Sequence, residues 1–143
     1  MHPNQELLVD DLWGDHGSVR ALLRRFELSE SPDDRRDAMR LATDLFSVHS
    51  EIEERIASGY AQHRALQAII HLMEQLETTD PRSKLYLARG MELKQRLEEY
   101  IAVEEQTAAT PSSGSLKAEP YNVDLLGLRT NLRDNATRLL RVH

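Results

Sequence analysis

Apolar residues recur along nearly the whole chain at steps of three, four or seven, and no segment alternates apolar with polar in a β-branched run. That periodicity predicts helices throughout and strands nowhere. A first stripe of Leu8, Leu12, Val19, Leu23 and Phe26 predicts a helix over about 5–27, loosened locally by Gly14 and Gly17. Ser31-Pro32-Asp33-Asp34 supplies a capping hydroxyl, a proline at the first helical position and early acidic residues, so a second helix starts there. It runs to near Ser58, where Gly59 fits a left-handed C-cap. A third helix follows from about Tyr60 to Glu77, with Leu66, Ile70 and Met73 inward. Asp80-Pro81 repeats the start signal for a fourth, which continues through Leu93, Leu97 and Ile101 to about Ala108. The Thr-Pro-Ser-Ser-Gly-Ser run at 110–115 reads as a linker. From about Val123 to Val142, Leu125, Leu128, Leu132, Leu139 and Leu140 predict a fifth, amphipathic helix. The expected architecture is all-α: an antiparallel up-down four-helix bundle over 1–108, a linker over 109–120, and a C-terminal helix over 121–143 that packs on the bundle or on a partner.

Extending each stripe shows which inward positions are polar, and buried polar groups are costly unless they have partners. The first helix then reads Leu8, Leu12, His16, Val19, Leu23, Phe26, and the second Ala42, Leu45, His49, Ile52 or Glu53, Ile56. The third begins its stripe with His63, and the fourth reads Leu93, Leu97, Tyr100, Glu104. Each of the four helices therefore offers the interior at least one candidate metal ligand: His16, His49 with Glu53, His63, and Tyr100 with Glu104. Any one alone reads as a hydrogen-bonded or surface residue; their coincidence on four apolar stripes points to a shared site. Glu53 and His63 flank Gly59 closely enough to share a layer, both about 6–9 Å along the axis from the turn. Facing glutamates would repel unless a cation lay between them, and a mixed imidazole and carboxylate set suits iron better than magnesium or calcium.

Composition narrows the chemistry further. With 143 residues the chain is the size of one domain able to bury a core of its own. It has no cysteine, which removes disulfides, zinc thiolates and thiol nucleophiles and leaves only N and O ligands. That usage suits a reducing cytoplasm. Twenty-four acidic against 18 basic residues give a net charge of −6, which disfavours nucleic acid as a partner. No apolar run is long enough to span a membrane. There is no phosphate-binding glycine loop, nor a serine and histidine with a positioned acid. His71, about 12 Å along the third helix from His63, is too distant to share its metal. Glu51, Glu54, Glu98, Glu99 and Glu105 read as a solvated acidic rim, and Trp13 and Met91 as packing residues. Arg129, Arg133, Arg138 and Arg141 beside the last leucine stripe read as flanking a packed face, with an anionic membrane or partner surface as the second option.

At these residues the sequence resembles the haemerythrin-like family, the HHE cation-binding bundles. Asp15-His16-Gly17-Ser18-Val19-Arg20 resembles the family's first-helix histidine segment, and Val48-His49-Ser50-Glu51-Ile52-Glu53-Glu54 its second-helix histidine with a glutamate four residues on. Gln62-His63-Arg64-Ala65-Leu66 is similar to the third-helix segment, and Tyr100-Ile101-Ala102-Val103-Glu104 to the fourth, over about residues 7–108 in all. The resemblance implies two non-haem iron ions, with Glu53 and Glu104 bridging them, His16, His49 and His63 as terminal ligands, and O2, NO or peroxide as the bound species. It extends to peroxide decomposition, oxidase activity or iron and oxygen sensing. Two departures stand out. Tyr100 replaces a histidine, as a phenolate ligand or as the mark of a site with one metal or none, and the connection between the second and third helices is short. The alternative is a metal-free helical bundle used for protein interaction. A homodimer through the C-terminal helix fits either reading.

Overall fold

The computed structural model describes the backbone of residues 3–56, 63–108 and 123–141 and the side chains of 14–51, 64–106 and 127–141. Among them the chain is all-helical, with five helices and no strand: α1 (Pro3–Leu28), α2 (Pro32–Ile56), α3 (His63–Glu77), α4 (Lys84–Ala108) and α5 (Val123–Arg141). None is long and apolar enough to cross a membrane. The expected Gly59 cap and the whole of the expected linker over 109–120 lie outside the described residues.

The α1–α2 turn forms as the capping signal predicts. Ser31 Oγ accepts from the amide of Asp34 at 3.3 Å, and the Ser31 carbonyl takes the first intrahelical bond from Arg35 at 2.9 Å. Arg25, in the last turn of α1, grips Asp34 through Nε and Nη2 at 3.0 and 2.9 Å. Burial pushes Asp34 upward, but the hydrogen bonds from Arg25 and Ser29 and the guanidinium charge outweigh it, so its carboxyl is held below the usual range. A depressed folded value means that Asp34 contributes stability above the unfolded pKa of about 3.9 and loses it as pH falls through the folded value. Asp34→Asn is thus expected to destabilise the fold at pH 7 by only about 0.5 kcal/mol, because the pair is partly exposed. The gap to wild type in urea melts should close as the pH is lowered through that range.

The start of α4 and the inward face of α3 differ from expectation. Asp80-Pro81 does not begin α4: the Asp80 carboxylate accepts from the amide of Arg82 at 2.9 Å, and the Asp80 carbonyl accepts from Ser83 N at 3.0 Å. Asp80 thus closes a turn, as short acidic side chains do by competing for nearby amides. Ser83 is the cap, accepting from Tyr86 N at 3.1 Å. In α3 the inward apolar residues are Leu66, Ile69, Met73 and Leu76, whereas Ile70 is 44% exposed. From Leu66 both steps, three and four, meet an isoleucine; Leu76 at the far end selects the seam that runs through Ile69.

The core joins Val19, Leu22, Leu23 and Phe26 of α1 to Met39, Ala42, Leu45 and Phe46 of α2 and to Tyr86, Leu93, Leu97, Tyr100 and Ile101 of α4. Phe26 sits against Gly90 while His16, further up α1, meets Glu104, so α1 and α4 run antiparallel. Arg25 to Asp34 at the turn and Asp15 to His49 far from it give the same relation for α1 and α2. α3 lies along α4, and α5 lies along both α1 and α2. The buried face of α5 is Arg129, Leu132 and Ala136; Leu128, expected on the stripe, is 47% exposed. An arginine takes the place of a leucine on that face because α1 presents a buried carboxylate there.

Candidate metal centre

Asp15 and His16 are consecutive, so their side chains leave α1 about 100° apart. His16 turns toward α4 and Asp15 toward α2 and α5, and both are buried. His16 Nε2 stands 2.9 Å from Glu104 Oε2, and His49 Nε2 stands 3.8 Å from the same oxygen. The two rings face each other at 4.9 Å between centroids with a 60° tilt. His16, His49 and Glu104 thus offer three ligand atoms within 4.8 Å of one another, and all three residues are buried. Ligands sharing one ion with bonds of about 2.1 Å stand roughly 3 to 4 Å apart, so small shifts bring this trio onto a single cation.

The other ring nitrogens are held by carboxylates. His49 Nδ1 donates to Asp15 Oδ2 at 2.9 Å, and His16 Nδ1 donates to Glu105 Oε2 at 3.2 Å. Each carboxylate is anchored in turn by arginine. Arg20, one turn beyond His16, reaches Glu105 through Nη1 at 3.0 Å and Nη2 at 2.7 Å. Arg129 forks onto Asp15 through Nε at 2.7 Å and Nη2 at 2.8 Å, and Arg133, one turn further along α5, adds Nη1 at 2.8 Å. Gly14 leaves room for that approach, since a Cβ there would come within 3.2 Å of Arg133 Nη1. Carboxylate, imidazole and an inward Nε2 in sequence is the arrangement that orients metal-binding histidines and raises their basicity.

The charges follow from these contacts. Burial alone would push the Asp15 carboxyl up, but hydrogen bonds and charge from His49 and Arg129 more than offset it, and the group is held below the usual carboxylate range. The Arg20 hydrogen bond, against the opposing effect of burial and with help from His16, holds Glu105 below it as well. With both Nδ1 atoms donating, each neutral imidazole turns a lone pair at Nε2 toward the Glu104 oxygen. Lone pairs converging on a carboxylate are stable only with a cation among them. That cation is either a proton, which makes His16 an imidazolium between Glu104 and Glu105, or a metal ion. The donor set, two imidazoles with a carboxylate and no sulfur, suits a transition-metal ion such as iron or zinc.

Of the residues singled out in the sequence, His16, His49 and Glu104 come together. Tyr100 is buried one turn before Glu104, its ring edge-on to Phe46 at 5.2 Å. The side chains of Glu53 and His63 lie outside the described residues. His71 is exposed and pairs with Gln75. Glu105 departs from the acidic-rim reading, because it bonds to both His16 and Arg20. Arg129 and Arg133 likewise depart from the reading as cations flanking a packed stripe: Arg129 is buried on it. Neither Asp15 nor these partners stand out as site residues by periodicity alone. The available signals were an acid directly before His16 and two arginines four apart on the leucine face of α5. No protein-family profile, curated protein or solved structure matches this chain.

Proposed function

We propose that this chain is a non-haem iron protein of the haemerythrin-like kind: an up-down four-helix bundle, closed by a fifth helix, that takes O2, NO or peroxide at a buried di-iron centre. The observation that carries the reading is the convergence of His16 Nε2, His49 Nε2 and Glu104 Oε2, with a carboxylate on the far nitrogen of each ring. In this reading His16 and His49 are terminal ligands and Glu104 bridges, while Glu53, His63 and Tyr100 complete the set. Iron, if bound there, would supply a Lewis acid with an accessible one-electron couple, chemistry suited to O2, NO or peroxide. The protein's part is to aim and to shield. Asp15 and Glu105 fix the ring planes and keep Nδ1 protonated. Phe46, Leu97, Tyr100 and Ile101 are buried on α2 and α4 within two turns of His49 or Glu104 and would limit the entry of water. The Tyr100 hydroxyl, one turn from Glu104, is the natural phenol to reach an open metal position. Binding, rather than a defined catalysis, is the activity that these groups support, and an iron or oxygen sensor would use the same site.

One contact favours a second reading. His16 has a carboxylate at both nitrogens and is fully satisfied as an imidazolium, as a metal-free interaction bundle would require. Iron content and a visible spectrum after anaerobic reconstitution of the full chain separate the two. The di-iron reading expects about two irons per chain and ferric charge-transfer absorption, abolished in Glu104→Ala and in His16→Ala. A protein that takes up no iron, and whose Glu104→Leu variant melts higher than wild type, is the metal-free bundle instead.

A further inference from the structure

We propose that α5 is a strap coupled to metal binding. Arg129 and Arg133 act through Asp15 to hold His49 in its ligating orientation, so docking of α5 and binding of metal at His16, His49 and Glu104 strengthen each other. The inference rests on the metal reading above and adds to it a regulatory role for a helix that supplies no ligand.

The geometry makes the link short. Asp15 has two oxygens, and both are held by α5: Oδ2 by Arg129 Nε, Oδ1 by Arg129 Nη2 and Arg133 Nη1. Oδ2 is also the atom that accepts from His49 Nδ1. With α5 in place the carboxylate plane has no freedom to turn, and the direction of the His49 ring follows from it. With α5 away, a buried carboxylate loses three of its four hydrogen bonds, and the ring is left with an acceptor free to rotate. Partners in this position typically change metal affinity by about 10–100-fold when removed.

Position in the fold supports the coupling. α5 lies along α1 and α2, the two helices that carry His16 and His49. Its inward face combines Leu132 and Ala136 with the buried Arg129, so its seat depends on a charged contact as well as on apolar area. Among the described residues, Arg20, Arg129 and Arg133 balance Asp15, Glu104 and Glu105 one for one. The added charge of a metal therefore opposes the arginines electrostatically while the fixed histidine favours binding. The proposal is that orientation outweighs repulsion, because Arg133 is one-third exposed and screened, and Arg129 spends its charge on Asp15. Coupling between two such events is reciprocal, so either can be read from the other.

The test uses the full-length protein with ferrous ion alone under anaerobic conditions. Amide hydrogen exchange within 129–141 is expected to slow by about 10-fold or more on iron binding. Arg129→Lys removes the fork and is expected to weaken iron affinity by about 10-fold or more, and Arg133→Gln, which leaves Arg129 on Asp15, by less, with helix content unchanged in both. Arg133→Lys, which keeps a charged donor, should recover most of the affinity. Wild-type protein that binds iron with unchanged exchange in α5, together with unaltered affinity in these variants, overturns the strap and leaves the metal site standing. Faster exchange on iron binding overturns it too, by giving the coupling the opposite sign. Wild-type protein that binds no iron removes the strap and the metal site together.

Discussion

Asp15→Ala is expected to lower the unfolding free energy by about 3–5 kcal/mol, the range seen when one member of a buried ionic network is removed. The loss is large because of what stays behind. Arg129 is buried and has its fork on Asp15; without the carboxylate its guanidinium stays desolvated and loses that fork. Arg133, one-third exposed, can turn to water and contributes less. His49 Nδ1 loses its acceptor as well. Urea denaturation at unchanged slope checks the figure, and a loss under about 1 kcal/mol would mean that the Asp15 network does not hold in solution.

A companion variant separates stability from function. Asp15→Leu, Arg129→Met and Arg133→Met together replace the network by apolar groups of similar size, a change that is often neutral or stabilising by about 1–4 kcal/mol. This triple variant should fold at least as well as wild type and bind iron more weakly, because His49 has no carboxylate to orient it. An ionic network whose removal leaves the fold intact and weakens only the metal site is there for the site.

How much of this was legible in the sequence depends on how far apart the interacting residues lie. The helices were legible because each carries its own periodicity, and the Ser31 cap because it is complete within four residues. His16, His49 and Glu104 were legible as inward polar positions, since a polar residue on an apolar stripe is conspicuous without knowing its partner. Ile69 against Ile70 was ambiguous because either continues the stripe from Leu66, and only packing against α4 decides. Asp80 misled because an acid before a proline serves equally as a helix cap or as a turn former. Asp15, Glu105 and Arg129 were not legible as a network. Arg129 and Asp15 are separated by 114 positions, and a charged residue at either position reads by itself as facing solvent. Their burial follows from each other, a pairwise fact that no single-sequence periodicity carries.

The other large effect lies far from the metal site, where Phe26 of α1 packs on Gly90 of α4. Helix propensity favours alanine over glycine by about 1 kcal/mol, so Gly90→Ala would ordinarily stabilise α4. Here a Cβ at position 90 would overlap Phe26 Cζ and come within 2.9 Å of both neighbouring ring carbons. Phe26 is fully buried, so its ring can retreat only by displacing the core around it. Overpacking of this kind costs about 1–3 kcal/mol. Contact with three ring atoms puts the penalty at the upper end, and the net expectation is a loss of about 1–2 kcal/mol. The reach of the change goes beyond stability. α1 carries His16 and α4 carries Glu104, so wedging the helices apart at Phe26, about 15 Å along the axis, also strains the 2.9 Å pairing at the site. Iron affinity should therefore fall along with the melting temperature. Phe26→Leu removes the offending ring atoms. In a double-mutant cycle Phe26→Leu with Gly90→Ala should be more stable than the sum of the single losses, since the added methyl then fills space that the ring has vacated. A more stable Gly90→Ala single variant would show instead that α1 and α4 have room to part, and that propensity outweighs packing at this crossing.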